Sequence, residues 1–134
     1  MKKYLLSLSF MGLCACGHIN NGAELNAGDY ADAITTVEVI ASPDYVELNP
    51  WVPNDPVVGP AALLGMKYGT KYVMIEAGYT PEFANQWVES VAGWAPFCNN
   101  VLLFLGAEPV IRIAGGMVCA SLTYPHNVEP RIEQ

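Results

Sequence analysis

Charge is scarce in this sequence, and positive charge scarcest of all. Only 14% of its 134 residues are charged, against roughly 25% in an ordinary soluble domain. Six bases face thirteen acids, for a formal net charge of −7. No base occurs between Lys3 and Lys67, while seven acids lie in that interval: Glu24, Asp29, Asp32, Glu38, Asp44, Glu47 and Asp55. Such a chain has no electrostatic footprint for nucleic acid, and acidic lipid repels it in bulk. Histidine is equally sparse. The lone C-x-C pair, Cys14 and Cys16, has no second pair, and the two histidines, His18 and His126, are scattered, so zinc-ligand spacing is lacking. H-E-x-x-H, Walker A, G-x-S-x-G and dinucleotide fingerprints are all missing. No catalytic residue, metal or cofactor is assigned on these grounds. The enzyme reading reduces to two acids, Asp32 and Glu47, separated by a loop, and a non-enzyme is favoured.

What the chain does have is apolar residues, 52% of the total. The first sixteen read M-K-K-Y-L-L-S-L-S-F-M-G-L-C-A-C, two lysines and then a short apolar run, the pattern of a secretory signal. The run falls short of the ~20 residues that span a bilayer. Its end, L-C-A-C at Leu13 to Cys16, resembles a bacterial lipoprotein box, which implies a lipid on Cys16 and a mature chain starting there. An ordinary signal or an uncleaved anchor stays open. Residues 17–28, polar and carrying N-N-G, read as a tether. Residues 29–124 read as a helical domain, and residues 125–134 as a flexible tail.

Within that domain, 29–41 is expected to be a short helix on which Asp32, Thr35 and Thr36 share a face. The plainest reading of its acids is a solvated face, with Asp29 near the positive end of the helix dipole; the alternative places Asp32 in a polar cluster. Ser42-Pro43 ends it. A proline-rich loop follows, with Glu47, Asn49 and Pro50 in it; Asn49 is a turn former, and Trp51 suits a membrane–water interface. Residues 61–78 form a helix with Lys67 and Lys71 four apart. Thr80-Pro81-Glu82 starts another, running to Leu105, with a disturbance at Pro96 and two amides, Asn99 and Asn100, that need partners. Glu108-Pro109 opens the last helix, to Tyr124. There Gly115, Gly116, Cys119 and Ala120 make small-x-x-x-small steps that allow close helix contact in lipid. Cys98 and Cys119 read as small apolar packing residues, not as a disulfide framework.

D-A-I-T-T at Asp32–Thr36, E-L-N-P at Glu47–Pro50, L-L-G-M-K ending at Lys67 and W-A-P-F-C-N-N-V-L-L-F-L-G at Trp94–Gly106 together resemble a family of small uncharacterised bacterial and phage membrane proteins. The resemblance covers about Asp32 to Gly106. It implies a membrane architecture and marks Asp32, Thr35, Thr36, Glu47, Asn49, Pro50, Lys67, Asn99 and Asn100 as an intramembrane polar cluster; it implies no reaction.

The expectation is therefore an all-α fold, a small membrane-embedded bundle of about three longer helices plus a short N-terminal one. Its setting would be the bacterial envelope, in the inner membrane with the N-terminus facing the periplasm. The expected partners are the lipid bilayer and another membrane protein, or a second copy through Gly115 and Gly116. A non-catalytic partner-binding role comes first, a small transporter, channel or holin-like assembly second, and a membrane enzyme third. Lys67 is expected to be neutralised by Glu47 or Asp32, because a lysine near mid-span is expensive in lipid.

Overall fold

The computed structural model describes residues 21–45 and 49–131. Five α-helices follow in order: α1 (Ala27–Ala41), α2 (Val58–Glu76), α3 (Pro81–Val88), α4 (Ala95–Phe104) and α5 (Pro109–Thr123). A π-helical segment, Glu89–Trp94, joins α3 to α4 without a break, so the chain is a bundle of four helical rods. Among the described residues the fold is all-α; the one β-contact is an isolated bridge between Tyr79 and Arg131.

The helix ends follow local chemistry. Thr80 caps α3, its hydroxyl accepting from the Phe83 N–H at 3.2 Å, with Pro81 at the first position; that N–H would otherwise lack a partner. Upstream of α2, the Asp55 carboxylate accepts from the Val57 and Val58 N–H groups at 2.9 and 2.8 Å. Gly106, at φ 75°, turns the chain out of α4 while the Ala107 N–H returns to the Leu102 carbonyl at 2.9 Å. Glycine takes this left-handed conformation at little cost.

Pro96 acts as the sequence suggests, through a specific device. Proline has no N–H to give to the preceding turn. The turn before it widens to a π-helix, with the Ala95 N–H reaching back five residues to the Ser90 carbonyl. Local π turns accommodate such a break in the hydrogen-bond ladder.

The short acidic α1 is the hub, packed against α2, the π segment and α4. Its crossing with the π segment is close enough that a Cβ on Gly93 would lie 2.7 Å from the Gly28 carbonyl carbon and 2.9 Å from the Asp29 nitrogen. Two glycines thus let backbone meet backbone. The apolar core is small-residue packing around Ala33, Val39, Val52, Ala62, Phe83, Ala84 and Val88. The segment read as a tether is tied down from Asn21 on. Asn85 holds it with both ends of its amide, accepting from the Glu24 N–H at 2.9 Å and donating to the Gly22 carbonyl at 2.7 Å. The tail is also held as far as Arg131: the Thr80 hydroxyl donates to the Glu129 carbonyl at 2.7 Å, and the Arg131 guanidinium lies over the Tyr79 ring.

Two expectations need correction. Among the described residues, no helix is long and apolar enough to cross a membrane. At 15 residues each, α1 and α5 reach about 22 Å, short of a hydrocarbon core of about 30 Å. The 19-residue α2 is interrupted by two lysines. The glycines that suggested helix packing in lipid serve packing within the chain: a Cβ on Gly115 would strike Leu102, and one on Gly116 would meet the Ala95 carbonyl at 3.0 Å. That face packs against α4. Cys98 and Cys119, expected as apolar packing residues, are joined by a disulfide between α4 and α5. Their sequence separation of 21 hid the pairing, because it is set by how the two helices lie, not by any local pattern.

Candidate functional site

Two acids of α1, Asp29 and Asp32, meet the lysines of α2 in the interior. On α1 the buried positions Asp29, Asp32, Ala33 and Thr36 follow helical spacing and make one face. Lys67 and Lys71 are the buried polar residues of α2, again one turn apart. The two helices run antiparallel past each other here, so Asp32 meets Lys67 and Asp29 meets Lys71. Lys67 Nζ lies 2.7 Å from Asp32 Oδ2, with both side chains 3% exposed; the Lys71–Asp29 pair is fully buried.

Each pair is embedded in further hydrogen bonds. Lys67 Nζ also donates to the Asp29 carbonyl at 3.3 Å. Lys71 Nζ donates to the Glu24 carbonyl at 2.7 Å, and Asp29 Oδ2 accepts from the Asn26 N–H at 2.9 Å. Asp29 therefore does two things at once: it closes the start of α1 near the positive end of that helix and it neutralises a lysine. Buried charge is tolerated only with this kind of partnering. Asp29 and Asp32 are thus interior residues, with Asp32 the partner of Lys67, while Glu38 on the same helix is exposed.

Beside the first pair is a cavity of about 490 Å³. Asp32, Thr36, Asn49, Lys67, Asn99 and Asn100 give its polar side; Leu63, Met66, Trp87, Val88 and Val91 are among its apolar wall. The Thr36 hydroxyl makes no hydrogen bond among the described residues, although Thr36 is only 2% exposed. Asn99 has a single long contact, from its Nδ2 to Asn100 Oδ1 at 3.4 Å.

Of the residues marked from the sequence, Asp32, Thr36, Asn49, Lys67, Asn99 and Asn100 converge on this cavity. Thr35 is joined to the group through Asn100, whose Nδ2 donates to its hydroxyl at 3.1 Å. Pro50 is exposed in a turn, where Asn49 Oδ1 accepts from the Trp51 N–H at 3.0 Å. Glu47 and Cys16 lie outside the described residues.

Lys71, Asp29, Asn85 and Ser90 were not among the residues marked for the polar cluster, although Lys71 and Asp29 were noted on their helices. The matched spacing of Asp29/Asp32 and Lys67/Lys71 was a usable signal for the second pair. Ser90 had none: its hydroxyl makes two contacts, with the Gln86 carbonyl at 2.8 Å and with the Thr123 carbonyl at 2.6 Å, so it anchors the end of α5. Among the described residues no group of three His, Cys, Asp or Glu side chains could hold a metal ion. In comparisons with known proteins, no family model, no curated protein and no solved structure matches this chain.

Proposed function

We propose that this chain is an exported, lipid-anchored, non-catalytic protein of the bacterial envelope that lies against the bilayer along α5, without crossing it. The observation that carries the reading is the surface of α5. Val110, Ile111, Ile113, Met117, Val118 and Leu122 are 55–80% exposed, and Leu105 just before the helix is 76% exposed. An apolar surface of this extent on one helix marks a contact with lipid or protein.

Charge favours lipid as the occupant. The chain carries thirteen acids, yet Pro109–Thr123 contains none. Its one charged residue, Arg112, makes no ion pair among the described residues. A helix lying in the headgroup region with an apolar face inward fits this partition. The lipoprotein-like end of the signal adds a second attachment. If Cys16 carries lipid, five residues reach from it to Asn21, at most about 18 Å, and the domain is held at the membrane surface. One acyl anchor binds reversibly, and a second membrane contact makes the attachment stable. Export is supported by the Cys98–Cys119 disulfide, since such bonds persist in oxidising compartments. Asp32, the one described acid suggested for catalysis, is held by Lys67, which supports a non-catalytic role.

Vesicle flotation of the full chain carrying Cys16→Ser tests the reading. The chain is expected to float with zwitterionic vesicles, and Met117→Glu/Leu122→Glu is expected to remain at the bottom of the gradient. A Cys16→Ser chain that does not float, or a double variant that floats equally, overturns it.

A further inference from the structure

We infer that the cavity between α1, α2 and the α3–α4 rod is a binding site for a small neutral amphiphile with an amide head group. Its volume, about 490 Å³, falls among those that enclose small ligands, and a mostly apolar wall with a few convergent polar groups is the usual build of such sites.

The unpartnered groups define the head. Thr36 is 2% exposed and its hydroxyl is without a partner among the described residues. Facing the cavity, that hydroxyl is open to a hydrogen bond from a ligand as donor or acceptor. Asn99 offers a carbonyl oxygen and one N–H, since among the described residues its side chain makes only the 3.4 Å contact to Asn100. Lys67 has three N–H donors and spends two, on Asp32 and on the Asp29 carbonyl. The site thus presents donors and acceptors together. An amide answers both, its oxygen to Lys67 and Thr36 and its N–H to Asn99.

Charge excludes the obvious competitor. Lys67 and Asp32 already neutralise each other, so a carboxylate would add an uncompensated buried charge, which is strongly unfavourable. The body of the ligand would lie along Leu63, Met66, Trp87, Val88 and Val91. Trp87 in that wall supplies an optical reporter.

Octanamide is the probe, titrated into the full chain by calorimetry and by tryptophan fluorescence. Saturable one-site binding is expected, with the fluorescence change lost in Trp87→Phe while the heat remains. Octanoate is expected to bind at least about tenfold more weakly. Thr36→Val and Asn99→Leu are each expected to weaken octanamide by about tenfold, the factor that 1.4 kcal/mol represents. Ala92→Leu, at a position that lines the cavity, fills the space and is expected to abolish binding without lowering the melting temperature. It keeps the test open should Thr36→Val fold poorly. Absence of saturable heat, equal binding of octanoate, or wild-type affinity in Ala92→Leu overturns the proposal.

Discussion

Lys67 and Asp32 are each almost fully enclosed, so deleting one leaves the other as a bare buried charge. Lys67→Met is therefore expected to lower stability by about 3–5 kcal/mol, against roughly 0–1 for an exposed pair. Lys67→Met/Asp32→Leu is expected to recover most of that loss, because apolar replacement of a whole pair is often neutral. Urea melts of the two singles and the double give the coupling; additive losses would mean that the pair is not one unit. Asp55 carries a pH prediction. Its pKa is lowered from the usual 3.8 by the hydrogen bonds from the Val58 and Val57 N–H groups. A depressed folded pKa means that the carboxylate stabilises the start of α2 above the unfolded value. The contribution is lost as pH falls through the folded value. The melting-temperature gap between the native chain and Asp55→Ala is accordingly expected to be constant near neutrality and to close below pH 3.8. A gap independent of pH would show that the charge is not what holds the turn.

At the scale of elements, two devices make the α4–α5 end of the bundle. The disulfide closes a loop with a sequence separation of 21, for which chain-entropy arguments give roughly 3 kcal/mol. Reduction is expected to lower the melting temperature, and the unreduced chain to be lighter by two hydrogens in intact mass. A mass unchanged by reductant would remove the bond and, with it, the support for an oxidising compartment. The second device is the backbone crossing of α1 over the π segment. Gly93→Ala would push a methyl into the backbone of Gly28 and Asp29, which cannot yield as a side-chain tip can. A loss of about 1–3 kcal/mol is expected from overpacking of this kind. Thermal melts that show no loss would mean that α1 can shift without disturbing its ion pairs.

For the whole molecule, polarity is distributed the reverse of the usual way. Four charged side chains are buried, while most of α5 exposes apolar ones. A bundle this short in core hydrophobics has little stability to spare when one partner of a buried pair is removed or its disulfide is opened. Under the proposed function, lipid covers its exposed face. That cover has a direct consequence for stability: anything that binds only the folded state raises the melting temperature. Zwitterionic vesicles are expected to raise it for the native chain and not for Met117→Glu/Leu122→Glu. An equal rise in both would place the lipid contact elsewhere on the surface.

Much of this was legible from local order alone. Proline, glycine and capping residues punctuate the chain, so Thr80-Pro81, Ser42-Pro43 and Gly106 bound helices in the sequence as they do in the structure. The absence of any base between Lys3 and Lys67 obliged Lys67 and Lys71 to serve the acids upstream, and helical spacing placed each pair one turn apart. Tertiary structure decided the rest. Apolar content does not distinguish a helix facing lipid from one facing protein, so the spanning bundle expected from composition gave way, among the described residues, to helices not long and apolar enough to cross a membrane. Which acid meets which lysine, whether Cys98 reaches Cys119, and where Gly115 and Gly116 point all depend on how rods far apart in the chain lie side by side. The hydrophobic effect that drives that packing is non-directional. Local pattern can say which faces must be covered, and only the packed bundle says by what.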